Sequence, residues 1–200
     1  MNQPTSLAHQ LFSQLQGAPL QQIGQQLGIG TPQAEQAVGA ALPLLLGALG
    51  NNTAQPQGAQ ALLGALQRDH QTGAGFDLGG LLGSVLGGQG GGADILGHIF
   101  GGARPQAEAG LGQATGLDSG RASQLLQLLA PIVLSFIAQR VGQGGLDAGG
   151  LGGLLGQERA HAQQQGGLGG LLGSIFDQNG DGRLDLGDLA KIGGGLFGRK

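Results

Sequence analysis

The chain of 200 residues has no cysteine, no tryptophan and no tyrosine, and its aromatic content is six phenylalanines. Without thiols, disulfides, cysteine nucleophiles and zinc-thiolate centres are excluded. Charge is missing in a more local way. Residues 1–67 hold no lysine or arginine and a single acidic residue, Glu35, while 14 glutamines supply the polar surface. Such a segment has nothing with which to track a phosphate backbone. No nucleic-acid partner is therefore expected, although Leu20-Gln21-Gln22-Ile23-Gly24-Gln25-Gln26-Leu27-Gly28-Ile29-Gly30-Thr31-Pro32 has the outline of a helix-turn-helix.

Long hydrophobic runs are also absent. The two longest, 38–49 and 125–138, have 12 and 14 residues, short of the ~20 that cross a bilayer. They predict buried core helices and no transmembrane segment. Residues 1–6 show neither a basic stretch nor a following apolar one, so no secretory signal is visible and a cytoplasmic protein is the default expectation. Association with the envelope or a membrane surface through Leu/Gly stretches stands as the alternative.

What is present is glycine, leucine and helical spacing. Glycine, at 46 residues, approaches low-complexity levels. Leucine is nevertheless regularly placed, and 40% apolar content suffices for a core, so the chain reads as folded with glycine-rich joints. Leu7, Leu11, Phe12 and Leu15 form one helical stripe, and Leu20, Ile23 and Leu27 form another that Gly28 stops. Thr31 is expected to cap a third helix, with Pro32 at its first position. Pro43 falls inside that helix, where its missing N–H breaks one backbone hydrogen bond. With no alternating β-branched runs, an all-α multihelical bundle is predicted.

A displacement of 88 residues lays 23–49 over 111–137 without a gap, pairing Gly24 with Gly112, Gly28 with Gly116, Thr31 with Ser119 and Pro43 with Pro131. Seven of these 27 positions are identical, in the repeated order of stop glycine, cap hydroxyl, apolar helix and internal proline. Residues 78–86 match 168–176 at seven of nine positions. The biased vocabulary of Leu151-Gly152-Gly153-Leu154-Leu155-Gly156 could produce part of that match. A tandem duplication is expected, with helical halves at 1–103 and 104–200.

The segment richest in chemistry is Asp177-Gln178-Asn179-Gly180-Asp181-Gly182-Arg183-Leu184-Asp185-Leu186-Gly187-Asp188. A twelve-residue calcium loop supplies oxygens from positions 1, 3, 5, 7, 9 and 12, and here those are Asp177, Asn179, Asp181, Arg183, Asp185 and Asp188. Arg183 serves because position 7 contributes only its backbone carbonyl. Gly182 falls where the turn needs positive φ, and Leu184 is placed to anchor the loop to a core. Asp188 stands where such loops usually carry the longer Glu, which makes bidentate ligation harder. Weak Ca²⁺ affinity follows, on the order of 10⁻⁵ to 10⁻³ M. The bland alternative is an Asn-Gly-Asp-Gly turn that only reverses the chain. The loop resembles an EF-hand loop and one half of a dockerin module. A dockerin needs two such loops, and no second copy occurs.

The order Gly-Leu-Asp-Ser-Gly with a following Leu-Leu-x-Leu-Leu-Ala-Pro (116–131), the Ala-Leu-Pro-Leu-Leu-Leu-Gly segment (41–47), the repeated Gly-Leu-Leu-Gly and the terminal Asp-x-Asn-Gly-Asp-Gly resemble the YidB-like bacterial family of unknown function. That resemblance implies an all-α fold and a bacterial source, and brings no catalytic residue with it. Enzymatic readings gain little from the residues themselves. His9, His70, His98 and His161 sit in separate segments, with no serine or paired carboxylate at the spacing of a triad or an acid-base pair. Arg68-Asp69-His70 and Glu158-Arg159-Ala160-His161 fall at similar places in the two halves and read as solvated helix ends. The expected protein is a non-enzymatic Ca²⁺ binder that associates with itself or with a protein partner through apolar helix faces.

Overall fold

The computed structural model describes residues 6–69, 83 and 91–164. The regular elements among them are all helical: α1 (Leu7–Leu15), α2 (Ala18–Leu27), α3 (Thr31–Asn52), α4 (Pro56–Asp69), α5 (Gly92–Phe100), a 3-10 turn at Gly101–Ala103, α6 (Arg104–Thr115), α7 (Ser119–Gly144) and α8 (Ala148–Gln164). The all-α expectation is met. Leu7, Leu11, Leu15, Leu20, Ile23 and Leu27 are buried as their spacing requires, and Phe12 packs partly buried against them.

The turns between helices follow from glycine. Gly28 ends α2 at φ 63° and Gly116 ends α6 at φ 70°, left-handed conformations that side chains resist. Gly24 and Gly112 let the chain fold back across the helix end. A Cβ at 24 would stand 3.2 Å from the Ile29 carbonyl, and one at 112 would stand 2.7 Å from the Leu117 carbonyl.

The helix starts differ from expectation by one residue. Gly30 rather than Thr31 caps α3, its carbonyl accepting the Ala34 N–H at 2.9 Å. Asp118 rather than Ser119 caps α7, its Oδ1 accepting the Arg121 N–H at 2.9 Å. A carboxylate at that position satisfies a first-turn amide and also favours the positive end of the helix.

Two helices form the centre. In α3, residues 44–50 are buried without interruption, which requires neighbours on every side. The helices packed against α3 are α1, α2, α5, α6, α7 and α8. α7 packs in turn against α5, α6, α3, α2 and α4. Each centre helix contains a proline, Pro43 in α3 and Pro131 in α7. Pro131 removes the donor that the Gln127 carbonyl would normally receive. Gly92, at the start of α5, lies so close to that carbonyl that a Cβ would collide with it. A second close approach seats α8 on α3, where a Cβ at Gly50 would stand 2.5 Å from the Leu155 carbonyl.

The apolar run 125–138 predicts a helix too short to span a membrane, and α7 departs from that. Asp118 starts it well before the run, and it continues through Gln139 to Gly144, for 26 residues in all. An 18-residue window of it has a mean hydropathy of 1.6, which makes α7 long and apolar enough to cross a bilayer, but 56% of that window is buried inside the fold. A core helix gives the same signature. Buried side chains from both sides of the 103/104 boundary, among them Leu45, Leu49, Leu129, Phe136 and Leu155, join one hydrophobic cluster.

Candidate functional site

The six candidate calcium ligands, Asp177, Asn179, Asp181, Arg183, Asp185 and Asp188, lie outside the described residues, as do His70 and all of 168–176. Among the described residues, no three His, Asp or Glu side chains come together in a way that could hold a metal ion.

The described chemistry gathers instead at a cleft of about 450 Å³ between α1, the last turn of α7 and α8. Leu7, Leu146 and Leu154 form its apolar wall, and Gln10, Arg140, Gln143, Gln157, Glu158 and His161 its polar surface. Glu158 was expected on a solvated helix end, yet it is 7% exposed. Its Oε1 accepts the Leu7 N–H at 2.8 Å and its Oε2 the Ala8 N–H at 3.4 Å. These are first-turn amides that a helix cannot satisfy internally. The next, His9 N–H, donates to Ser6 Oγ at 3.2 Å, and Gln10 N–H donates to the Ser6 carbonyl at 3.0 Å. Every amide of that first turn thus has an acceptor, two of them on a carboxylate placed where the helix dipole favours it.

Arg140 donates to Gln10 Oε1 and lies over the Phe136 ring, 5.4 Å from its centroid. That distance is within reach of a cation–π contact. Glu158 and Arg140 are therefore occupied in fixing α1 to α7 and α8. The arrangement locks a helix in place.

A second polar group joins α6 to α7. Arg104 Nε meets Glu108 Oε1 at 2.7 Å, and Ser123 Oγ donates to the same oxygen at 2.8 Å. Arg104 Nη2 and Gln127 Nε2 both donate to Ser123 Oγ, at 3.2 and 3.1 Å. The members satisfy one another, which suits a structural staple.

At the far ends of the centre helices, Asn52 Nδ2 donates to the Ile99 carbonyl at 2.7 Å and the His98 carbonyl at 3.2 Å. His98 Nδ1 is bonded to the Asp94 carbonyl at 2.8 Å. The three described histidines lie on three different helices: His9 on α1, His98 on α5 and His161 on α8. Sequence reasoning missed Glu158 because its partners are 150 and 151 positions away. The one available signal was that Glu158 is the lone carboxylate of α8.

No curated protein and no solved structure matches this chain. The family model described as "Bacterial protein of unknown function (DUF937)" matches residues 9–140, a stretch that begins in α1 and ends at Arg140 near the close of α7. It therefore takes in both centre helices and the glycine turns that precede them, and on that match the chain belongs to this bacterial family.

Proposed function

We propose that this protein is a non-enzymatic, self-associating helical module whose C-terminal segment binds Ca²⁺ weakly to order the end of the chain. The observation that carries the reading is the donor set Asp177, Asn179, Asp181, Arg183, Asp185 and Asp188 in the twelve-residue spacing. Four carboxylates, an amide oxygen and a backbone carbonyl are the hard oxygen ligands that Ca²⁺ selects. The interlocked core supports a structural role, because the charged side chains of the cleft are bound to backbone amides and to Gln10.

The same reading takes the chain as a tandem duplication of 1–103 and 104–200. It is supported by the shared 88-residue displacement of the two glycine stops, the two helix starts and the two internal prolines. Calorimetric titration tests the calcium reading. Binding heat from millimolar Ca²⁺, lost in Asp181→Ala, is expected; an athermal titration with no change in Tm would sink it.

A second reading, attachment to an envelope or membrane surface, is favoured by the length and hydropathy of α7. Vesicle flotation separates the two. Recovery with liposomes in the absence of Ca²⁺ favours attachment, and recovery only in the protein-rich bottom fraction favours the first.

A further inference from the structure

From the pattern of contacts between the halves, we infer that this chain is a covalently fused two-fold pair, and that the surface each half offers the other is a docking site for the corresponding half of a second copy. The inference rests on the duplication proposed above and names the partner and the surface of self-association.

Reciprocity carries it. In an interface with two-fold symmetry, if residue i meets residue j, then the copy of j meets the copy of i. Asn52, the last residue of α3, donates to the backbone of His98 and Ile99 on α5. Arg140, 88 positions after Asn52, donates to Gln10, 88 positions before His98. Here the seam is taken between α4 and α5 rather than at 103/104, because the 88-residue displacement lays α1 over 95–103 and so makes α5 the counterpart of α1. With that seam the centre helix of each half reaches the first helix of the other, at matching positions and with different side-chain chemistry. Larger elements repeat the exchange. α6 of the second half packs on α3 and α2 of the first packs on α7, while α8 crosses to α3 and α4 crosses to α7. α3 and α7, equivalent to each other, meet at the centre.

Nothing in these contacts requires both halves to come from one chain. α4 ends at Asp69 and α5 begins at Gly92, and every contact named above joins an element on one side of that interval to an element on the other. Within a chain the covalent link supplies an effective concentration of about a millimolar, so the internal pair dominates in dilute native protein. A chain whose own half is defective has a competent substitute in a second copy.

The test uses two full-length variants, Leu45→Asp in α3 and Leu129→Asp in α7, each placing a carboxylate at a fully buried position. Neither is expected to refold alone into a cooperatively melting species. Unfolded together and refolded as an equimolar mixture, they are expected to regain a cooperative melt and about half of the wild-type helical signal. The product should have twice the mass of one chain by light scattering, one intact pair being assembled from the sound half of each. A mixture whose circular dichroism is the average of the two separate variants overturns the inference. If either variant folds alone, wild-type protein refolded above a millimolar decides. A dimer that survives dilution supports half exchange, and monomer alone overturns it. Dimers that form without unfolding and dissociate on dilution, beside an inert variant mixture, also overturn it while leaving simple self-association standing.

Discussion

Glu158 on α8 closes the first turn of α1 from 151 residues away, its Oε1 accepting the Leu7 N–H at 2.8 Å. The bond joins one of the earliest described residues to one of the last and holds α1 against the fold. Replacing Glu158 with alanine leaves the Leu7 and Ala8 amides without acceptors in a buried setting, which costs about 1–3 kcal/mol. Urea denaturation of Glu158→Ala should show that loss, and Glu158→Gln, which keeps one oxygen, should show a smaller one. Equal stability of Glu158→Ala and wild type would remove the role assigned to this carboxylate.

Two glycines of α5 make a matched pair with opposite outcomes. Gly92 lies against the Gln127 carbonyl, so a methyl group must displace backbone, whereas Gly97 faces open space. Gly92→Ala is expected to destabilise by about 1–3 kcal/mol through overpacking. Gly97→Ala should stabilise by roughly 0.5–1 kcal/mol by reducing the freedom of the unfolded helix. Thermal melts of the two variants read the sign directly.

Asn52 and Arg140 close the ends of the two centre helices onto different partners. Asn52→Ala removes two donors to the end of α5 and should cost about 0.5–1.5 kcal/mol. Because Asn52 and Arg140 share no partner in these bonds, Asn52→Ala and Arg140→Ala should add to within about 0.5 kcal/mol. A larger coupling energy in the double-mutant cycle would mean that the two ends communicate through the core.

Calcium should act only through the folded protein. At a free concentration a hundred times Kd, selective binding stabilises by about 2.7 kcal/mol, so millimolar Ca²⁺ should raise Tm and Asp177→Ala or Asp181→Ala should abolish the shift. Differential scanning calorimetry with and without chelator checks this. A Tm that does not move with Ca²⁺ contradicts the proposed donor set.

The helices were legible because their apolar spacing is local. Leu7, Leu11 and Leu15 declare one buried face without reference to anything distant. The prolines and the stop glycines Gly28 and Gly116 were equally readable, since their constraints belong to a single residue. The cap positions slipped by one because Thr31 and Ser119 have suitable hydroxyls, while the deciding features were the Gly30 carbonyl and the Asp118 carboxylate. The length of α7 was hidden because glutamines and glycines continue a helix beyond its apolar run. Glu158 could be read as a lone carboxylate of α8 but not as a buried one. Its burial depends on where α8 meets α1, which no spacing within α8 encodes. The proposed calcium ligands were legible as a donor pattern, and they lie outside the described residues.

The seating of α8 on α3, with Leu155 against Gly50, also sets a timetable for synthesis. A ribosome adding about 5–20 residues per second produces the buried stretch of α3 roughly 5–20 s before its covering helix exists. Throughout that interval the part of α3 around Gly50 lacks the helix that finally covers it. The nascent chain is thus an attractive client for holding factors that shield leucine-rich surfaces until translation nears its end.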